Sequence, residues 1–161
     1  MGRKRAGERR DVYVYTANQI GIFPAKAQRR EGMTENEISK VILDSAITVH
    51  KELGPGLLES VYEVVLAFEL GQRGLYVNRQ VPIPIRYKEM TFDVAFRADL
   101  IVEEKVILEL KSVEHVSEAH KKQVQTYLRL TECKLGLLLN FGEALMKRGI
   151  TRVVNGLEDR L

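Results

Sequence analysis

Residues 97–111, Arg-Ala-Asp-Leu-Ile-Val-Glu-Glu-Lys-Val-Ile-Leu-Glu-Leu-Lys, constrain the fold more than any other stretch. They read as two β-branched and leucine-rich strands joined by a charged turn. A three-residue turn, Glu103 to Lys105, sets Ile101 opposite Ile107, Asp99 opposite Glu109 and Arg97 opposite Lys111, all on one face. The other face then carries Ala98, Leu100, Val102, Val106, Leu108 and Leu110 and is wholly apolar. A two-residue turn without a bulge would put Asp99 on the wrong face. Two facing carboxylates repel, so the pairing costs stability unless a cation, a proton or a nearby lysine compensates.

The chain has 161 residues, enough for one domain with a real core and too few for two. A hydrophobic content of 45% and a charged content of 29% suit a globular protein. No apolar run approaches the roughly eighteen residues of a membrane span, so no membrane role is expected. Cys133 is the single cysteine, which excludes an intramolecular disulfide and a cysteine-based zinc cage and fits a reducing, cytoplasmic setting. It reads as a small residue in a strand-flanking loop.

The net charge of +3 suggests a nucleic-acid binder, but the charge is unevenly placed. Residues 1–32 hold eight Lys or Arg against three acids, whereas residues 33–161 hold seventeen against nineteen. The first segment reads as a basic, flexible arm able to touch phosphates without reading sequence, or as an extension ahead of a natural start at Met33. The domain proper is expected over residues 33–161.

Thr34 and Glu37 have the spacing of a capping box and precede a helical stripe of Ile38, Val41, Ile42, Ser45, Ala46 and Val49. Gly54 and Pro55 should end that helix at about Leu53. A second helix is expected from about Leu57 to Gln72, burying Leu58, Val61, Tyr62, Val65 and Phe68. Strand signals follow at Leu75 to Val77, Gln80 to Tyr87 and Thr91 to Phe96, and Pro82 and Pro84 argue for a sheet edge. A third helix should run from about Ser117 to Leu130 on Val124, Tyr127 and Leu128. Lys134 to Asn140 reads as a strand covered on both faces, and a last strand falls near Thr151 to Asn155. The expected fold class is α/β, a mixed central β-sheet flanked by helices.

Gly56, Glu59 and Tyr62 in Gly-Leu-Leu-Glu-Ser-Val-Tyr, followed by Arg-Ala-Asp-Leu and Glu-Leu-Lys, resemble the GxxExxY family of small bacterial proteins, a branch of the PD-(D/E)XK nuclease superfamily. A Glu-x-Lys alone is common; the ordered set is specific and spans Met33 to Asn155. Ala98 replaces the superfamily's proline before the aspartate, a departure that touches no side chain used in chemistry. The resemblance implies a restriction-endonuclease-like core and a metal-dependent nuclease hydrolysing phosphodiester bonds, with DNA favoured over RNA.

Carried over residue by residue, the resemblance implies that Asp99 and Glu109 bind Mg²⁺ or Mn²⁺, with Glu59 as a third acid. Hard oxygen ligands suit such ions, which keep several of their own waters. Lys111, on the face of Glu109, would orient or help deprotonate the attacking water and meet the scissile phosphate. Gln123 and Tyr127, one helical turn apart, resemble the Gln-x-x-x-Tyr pair of RecB-like members and would position substrate, as would Arg97 beside Lys111. Superfamily nucleases that make double cuts often pair two sites, so a homodimer is compatible with the resemblance. The alternative is a non-catalytic nucleic-acid- or protein-binding module on the same scaffold. Tyr62 is expected as a core aromatic with a satisfied hydroxyl, Gly56 as a backbone device, and His50 and His120 as structural histidines. Lys121, Lys122 and Arg129 give the third helix a modest basic side.

Overall fold

The computed structural model describes residues 32–157, so the expected basic arm lies outside the described residues but for Gly32. Helix α1 spans Glu35–Leu53 and begins with the expected capping box, in which Thr34 and Glu37 exchange side-chain to backbone hydrogen bonds. Gly54, at φ +69°, ends it with its N–H donated to the His50 carbonyl.

Helix α2 spans Glu59–Gln72, two residues shorter at its start than expected, because Gly56 at φ +100° and the extended backbone of Leu58 delay helical geometry to Glu59. Glu59 is therefore the first helical residue. The buried face also differs: Tyr62, Glu63, Leu66, Ala67 and Leu70 point inward, while Leu58 is 74% exposed and Val61 is on the surface. A helix apolar nearly all round leaves its rotation undetermined by pattern. Here two tethers set it. The Tyr62 hydroxyl donates to the Gly54 carbonyl at 2.6 Å with its ring stacked on Phe141, and the Glu63 carboxylate meets Arg79 and Gln80.

Five strands form one mixed sheet in sequence order: β1 (Val77–Tyr87), β2 (Met90–Val102), β3 (Val106–Lys111), β4 (Leu135–Asn140) and β5 (Ile150–Val154). The separate short strands expected before residue 97 are merged into two long ones. β1 carries Pro82 and Pro84 and is an edge strand, as the missing N–H donors require. All neighbours are antiparallel except β3 and β4, which the α3 crossover (Glu118–Thr131) connects in parallel. α3 starts at Ser117, which forms a capping box with His120, giving that histidine the structural role expected of it. A short 3-10 turn, Met146–Arg148, leads into β5.

The sheet separates two cores. α1 and α2 close over Leu100, Val102, Val106, Leu108, Leu110, Leu135, Leu137 and Leu139, while α3 covers Ile101, Ile107 and Leu138. β4 is buried along its whole length, as its doubly apolar run requires. Gly136 is where α3 comes closest, since a Cβ there would lie 2.5 Å from a Val124 methyl.

Candidate active site

The inner hairpin has the expected three-residue turn, with Val102 paired to Val106, Ile101 to Ile107 and Leu100 to Leu108. Glu103 and Glu104 both take positive φ, and the Lys105 amide donates back to the Val102 carbonyl. The ladder stops there. Asp99 does not continue it against Glu109 by backbone pairing; its Oδ2 instead accepts the Leu110 N–H at 2.8 Å. Arg97 is not opposite Lys111 either. It pairs with Pro82 in β1, is exposed, and donates to the Gln80 carbonyl at 3.2 Å.

Ala98 also departs from expectation, because it packs with Ile101 and Ile107 under α3 rather than with Leu100. The cause lies across the ladder. Arg79 pairs with Leu100 and Val81 with Ala98, but the intervening pair, Gln80 and Asp99, is missing, and Gln80 has φ +50°. A left-handed residue breaks the period-two alternation, so the side chains before and after it exchange faces. Val77 and Leu100 belong to the α1/α2 core; Val81, Ile83, Phe96 and Ala98 belong to the α3 core.

Asp99 thus stands at a notch where β2 parts from β3, and charged groups gather around it. Glu109 is 3% exposed; its Oε1 accepts from Lys111 Nζ at 2.9 Å, and its Oε2 is buried without a hydrogen-bond partner. Burial, with the charge of Asp99 added, pushes the Glu109 carboxyl up to about 7 despite the Lys111 contact. Burial also raises Asp99, against the opposing Leu110 hydrogen bond and with the charges of Glu63 and Glu59 in support. For Lys111, burial acts to lower the ammonium, but the hydrogen bond and charge of Glu109, with Glu59 and Asp99, outweigh it and hold it above its ordinary value. The compensation demanded by two close carboxylates comes here from a lysine and from partial protonation.

Glu59 approaches from the start of α2, is exposed, and accepts the Ser112 N–H at 3.1 Å just beyond Lys111. Gln123 donates to the Tyr127 hydroxyl, as their spacing on α3 allows. Tyr127 is buried with Phe96 edge-on at 5.3 Å, and its phenol is raised by burial, with the Glu109 and Asp99 charges adding to the effect and Gln123 opposing it. The structure therefore brings Asp99, Glu109, Lys111, Glu59 and the Gln123–Tyr127 pair to one end of the sheet and leaves Arg97 on the β1 side. His50, with Nε2 2.8 Å from the Glu143 carbonyl, serves the α1 packing.

Three further residues were not singled out from sequence. Glu63 lies one turn after Glu59, buried, with Arg79 Nε at 2.9 Å and Gln80 Nε2 at 2.6 Å; an acid inside the apolar run Val61 to Phe68 is the signal that marks it. Asn140 ends β4 in register with Lys111, accepts from the Val113 and Gly142 amides and donates to the Val113 carbonyl, which clamps the segment after Lys111. A polar residue closing an apolar strand was its visible trace. Gln80 had none, because a positive φ at glutamine leaves no mark in composition.

Among the described residues, no three Asp, Glu, His or Cys side chains form a ready-made metal cage. The donor chemistry nevertheless fits a hard divalent cation. Two buried carboxylates repel one another, and Glu109 Oε2 is left without a donor.

The sequence profile of the PD-(D/E)XK nuclease superfamily matches residues 36–153. That match covers well over half of the chain and both strands of the notch. This protein belongs to the PD-(D/E)XK nuclease superfamily, whose members are usually nucleases and generally use divalent metals such as Mg²⁺. The mixed sheet with helices on both faces is the restriction-endonuclease-like fold of that superfamily. Neither the curated proteins nor the solved structures yield a significant match. Among the described residues, no helix is long and apolar enough to cross a membrane.

Proposed function

We propose that the chain is a Mg²⁺- or Mn²⁺-dependent nuclease of the GxxExxY branch, acting in the cytoplasm on nucleic acid, with DNA the favoured substrate. The observation that carries this reading is the notch itself: Asp99, Glu109 and Lys111 meet where β2 leaves β3, and Glu109 Oε2 is buried and unbonded. Asp99 and Glu109 would hold the cation, with Glu59 as the third acid. A cation bound there supplies Lewis-acid stabilisation of the phosphoryl oxygens and a water of lowered pKa.

The remaining steps belong to the protein. Lys111, held in its ammonium form by three acids, is a donor rather than a base; it orients the attacking water and meets the non-bridging phosphate oxygen. Burial and the charge of Asp99 raise the Glu109 carboxyl, so a bound cation would favour its ionised form and relieve the repulsion between the two acids. Gln123 and Tyr127 line the α3 side and position substrate. Arg97, exposed on the neighbouring ribbon, offers a phosphate contact farther out. Cutting both strands of a duplex would bring two such sites together in a homodimer.

A second reading, a nucleic-acid- or protein-binding module without chemistry, draws support from Glu59, whose carboxylate is engaged with Ser112. Cleavage of labelled single- and double-stranded DNA and RNA with Mg²⁺, Mn²⁺ or EDTA, by wild type and Lys111→Ala, separates the two. Metal-dependent cutting lost in Lys111→Ala is the expected result. Metal binding without cutting of any of the four substrates would favour the binding module.

A further inference from the structure

Gln80 combines three features that local packing leaves unexplained. It is a non-glycine residue at φ +50°, a left-handed conformation that strains L-residues with long side chains. It stands at the missing rung of the β1–β2 ladder, opposite Asp99. Its side-chain amide reaches back across that rung, with Nε2 2.6 Å from Glu63 Oε2 and 3.5 Å from Asp99 Oδ1. Glycine would take the same backbone with less strain, so the position gains something from the glutamine side chain.

We propose that Gln80 is a positioning residue for Asp99, acting through its amide. This inference rests on the reading of Asp99 as a cation-binding carboxylate. The two amide hydrogens of Gln80 serve two acids, one firmly and one at longer range, so a single neutral group bridges Glu63 and Asp99. Asp99 is then held at both ends, Oδ2 on the Leu110 N–H and Oδ1 toward Gln80, which fixes the plane of its carboxylate. Glu63 is itself anchored by Arg79 at 2.9 Å, so the amide is oriented from a rigid helix. Neutrality matters. A lysine or arginine at position 80 would cancel the Asp99 charge on which cation binding depends, whereas an amide orients the carboxylate and leaves its charge intact.

The test compares wild type with Gln80→Gly and Gln80→Asn, two residues that tolerate the left-handed backbone but lack the reach of glutamine. Mn²⁺ affinity by calorimetry, melting temperature in EDTA and hydrogen exchange at the Leu110 amide are measured on the full chain. The expected result is Mn²⁺ affinity about 10- to 100-fold weaker in both variants, with a cooperative melting transition retained in EDTA. Leu110 exchange should be faster in both, because Asp99 is less firmly held. If both variants bind Mn²⁺ as wild type does and keep the Leu110 protection, Gln80 is a turn residue only and the inference is overturned. If wild type binds no Mn²⁺, the cation reading of the site fails separately, and unchanged Leu110 exchange would then remove the positioning role as well.

Discussion

β2 is shared by two hairpins that have little else in common. The inner one, β2 with β3, is buried on both faces over 100–102 and 106–110 and lies under helices on either side. The outer one, β1 with the first half of β2, runs past the end of β3 as a two-stranded ribbon, and Tyr87, Met90, Phe92 and Val94 are each about half exposed. Both read in sequence as apolar strands. The difference teaches that an apolar residue in a strand reports a fold only when a third strand and a helix are there to cover it, while a charged residue in a covered strand needs a compensating partner. Asp99, Glu109 and Lys111 lie where the covered region ends.

The contrast can be broken most sharply at the inner hairpin. Lys111→Ala should reduce cleavage by at least about 100-fold, since it removes the donor proposed to meet the phosphate. Far-UV circular dichroism should change little, while melting in EDTA should fall modestly because the buried Glu109 loses its cation partner. Loss of fold together with activity would remove Lys111 as evidence for chemistry. Leu108→Ala, in the same strand but fully buried, should destabilise by about 2–5 kcal/mol in denaturant unfolding. A smaller value would show that the inner hairpin is not the centre of the core.

Next in size is a pH effect. The folded Glu109 carboxyl titrates near 7 and its unfolded counterpart near 4.5, so between those values the folded protein holds a proton that the unfolded chain releases. Stability should therefore fall as pH rises through that window, by on the order of 3 kcal/mol in EDTA, and level off above it. Asp99, also raised, works in the same direction. Glu109→Gln should flatten the slope while abolishing cleavage, and Mg²⁺ should restore wild-type stability above neutrality. A stability that rises through the window would contradict the buried, repelling pair. The smallest effect belongs to the outer hairpin, where Phe92→Ser and Tyr87→Ser should each shift stability by no more than about 0.5 kcal/mol. A loss of several kcal/mol at either position would mean that the ribbon is covered in solution.

Much of this arrangement was legible because it depends on local rules. Thr34 with Glu37 marked a helix start, Pro82 and Pro84 marked an edge, and the three-residue turn at Glu103 to Lys105 fixed the inner register. Asp99, Glu109 and Lys111 stood out as charges in apolar strands. What was not legible depends on contacts distant in sequence. The rotation of α2 follows from Tyr62 on Phe141 and Glu63 on Arg79, which helical periodicity alone does not encode. Extending the register past Leu100 failed for a related reason, because it assumed an unbroken alternation that Gln80 interrupts. Arg97 was displaced from Lys111 by that same break.

The hydrogen bond from the Leu110 amide to Asp99 has a consequence beyond orientation. Where two strands separate, the freed N–H groups form a template that a foreign strand could zip onto, the usual starting point of edge-to-edge aggregation. Asp99 occupies that opening with its own carboxylate, satisfying the Leu110 donor and placing negative charge in the gap. The carboxylate proposed above as a cation ligand therefore also blocks that template for a foreign strand.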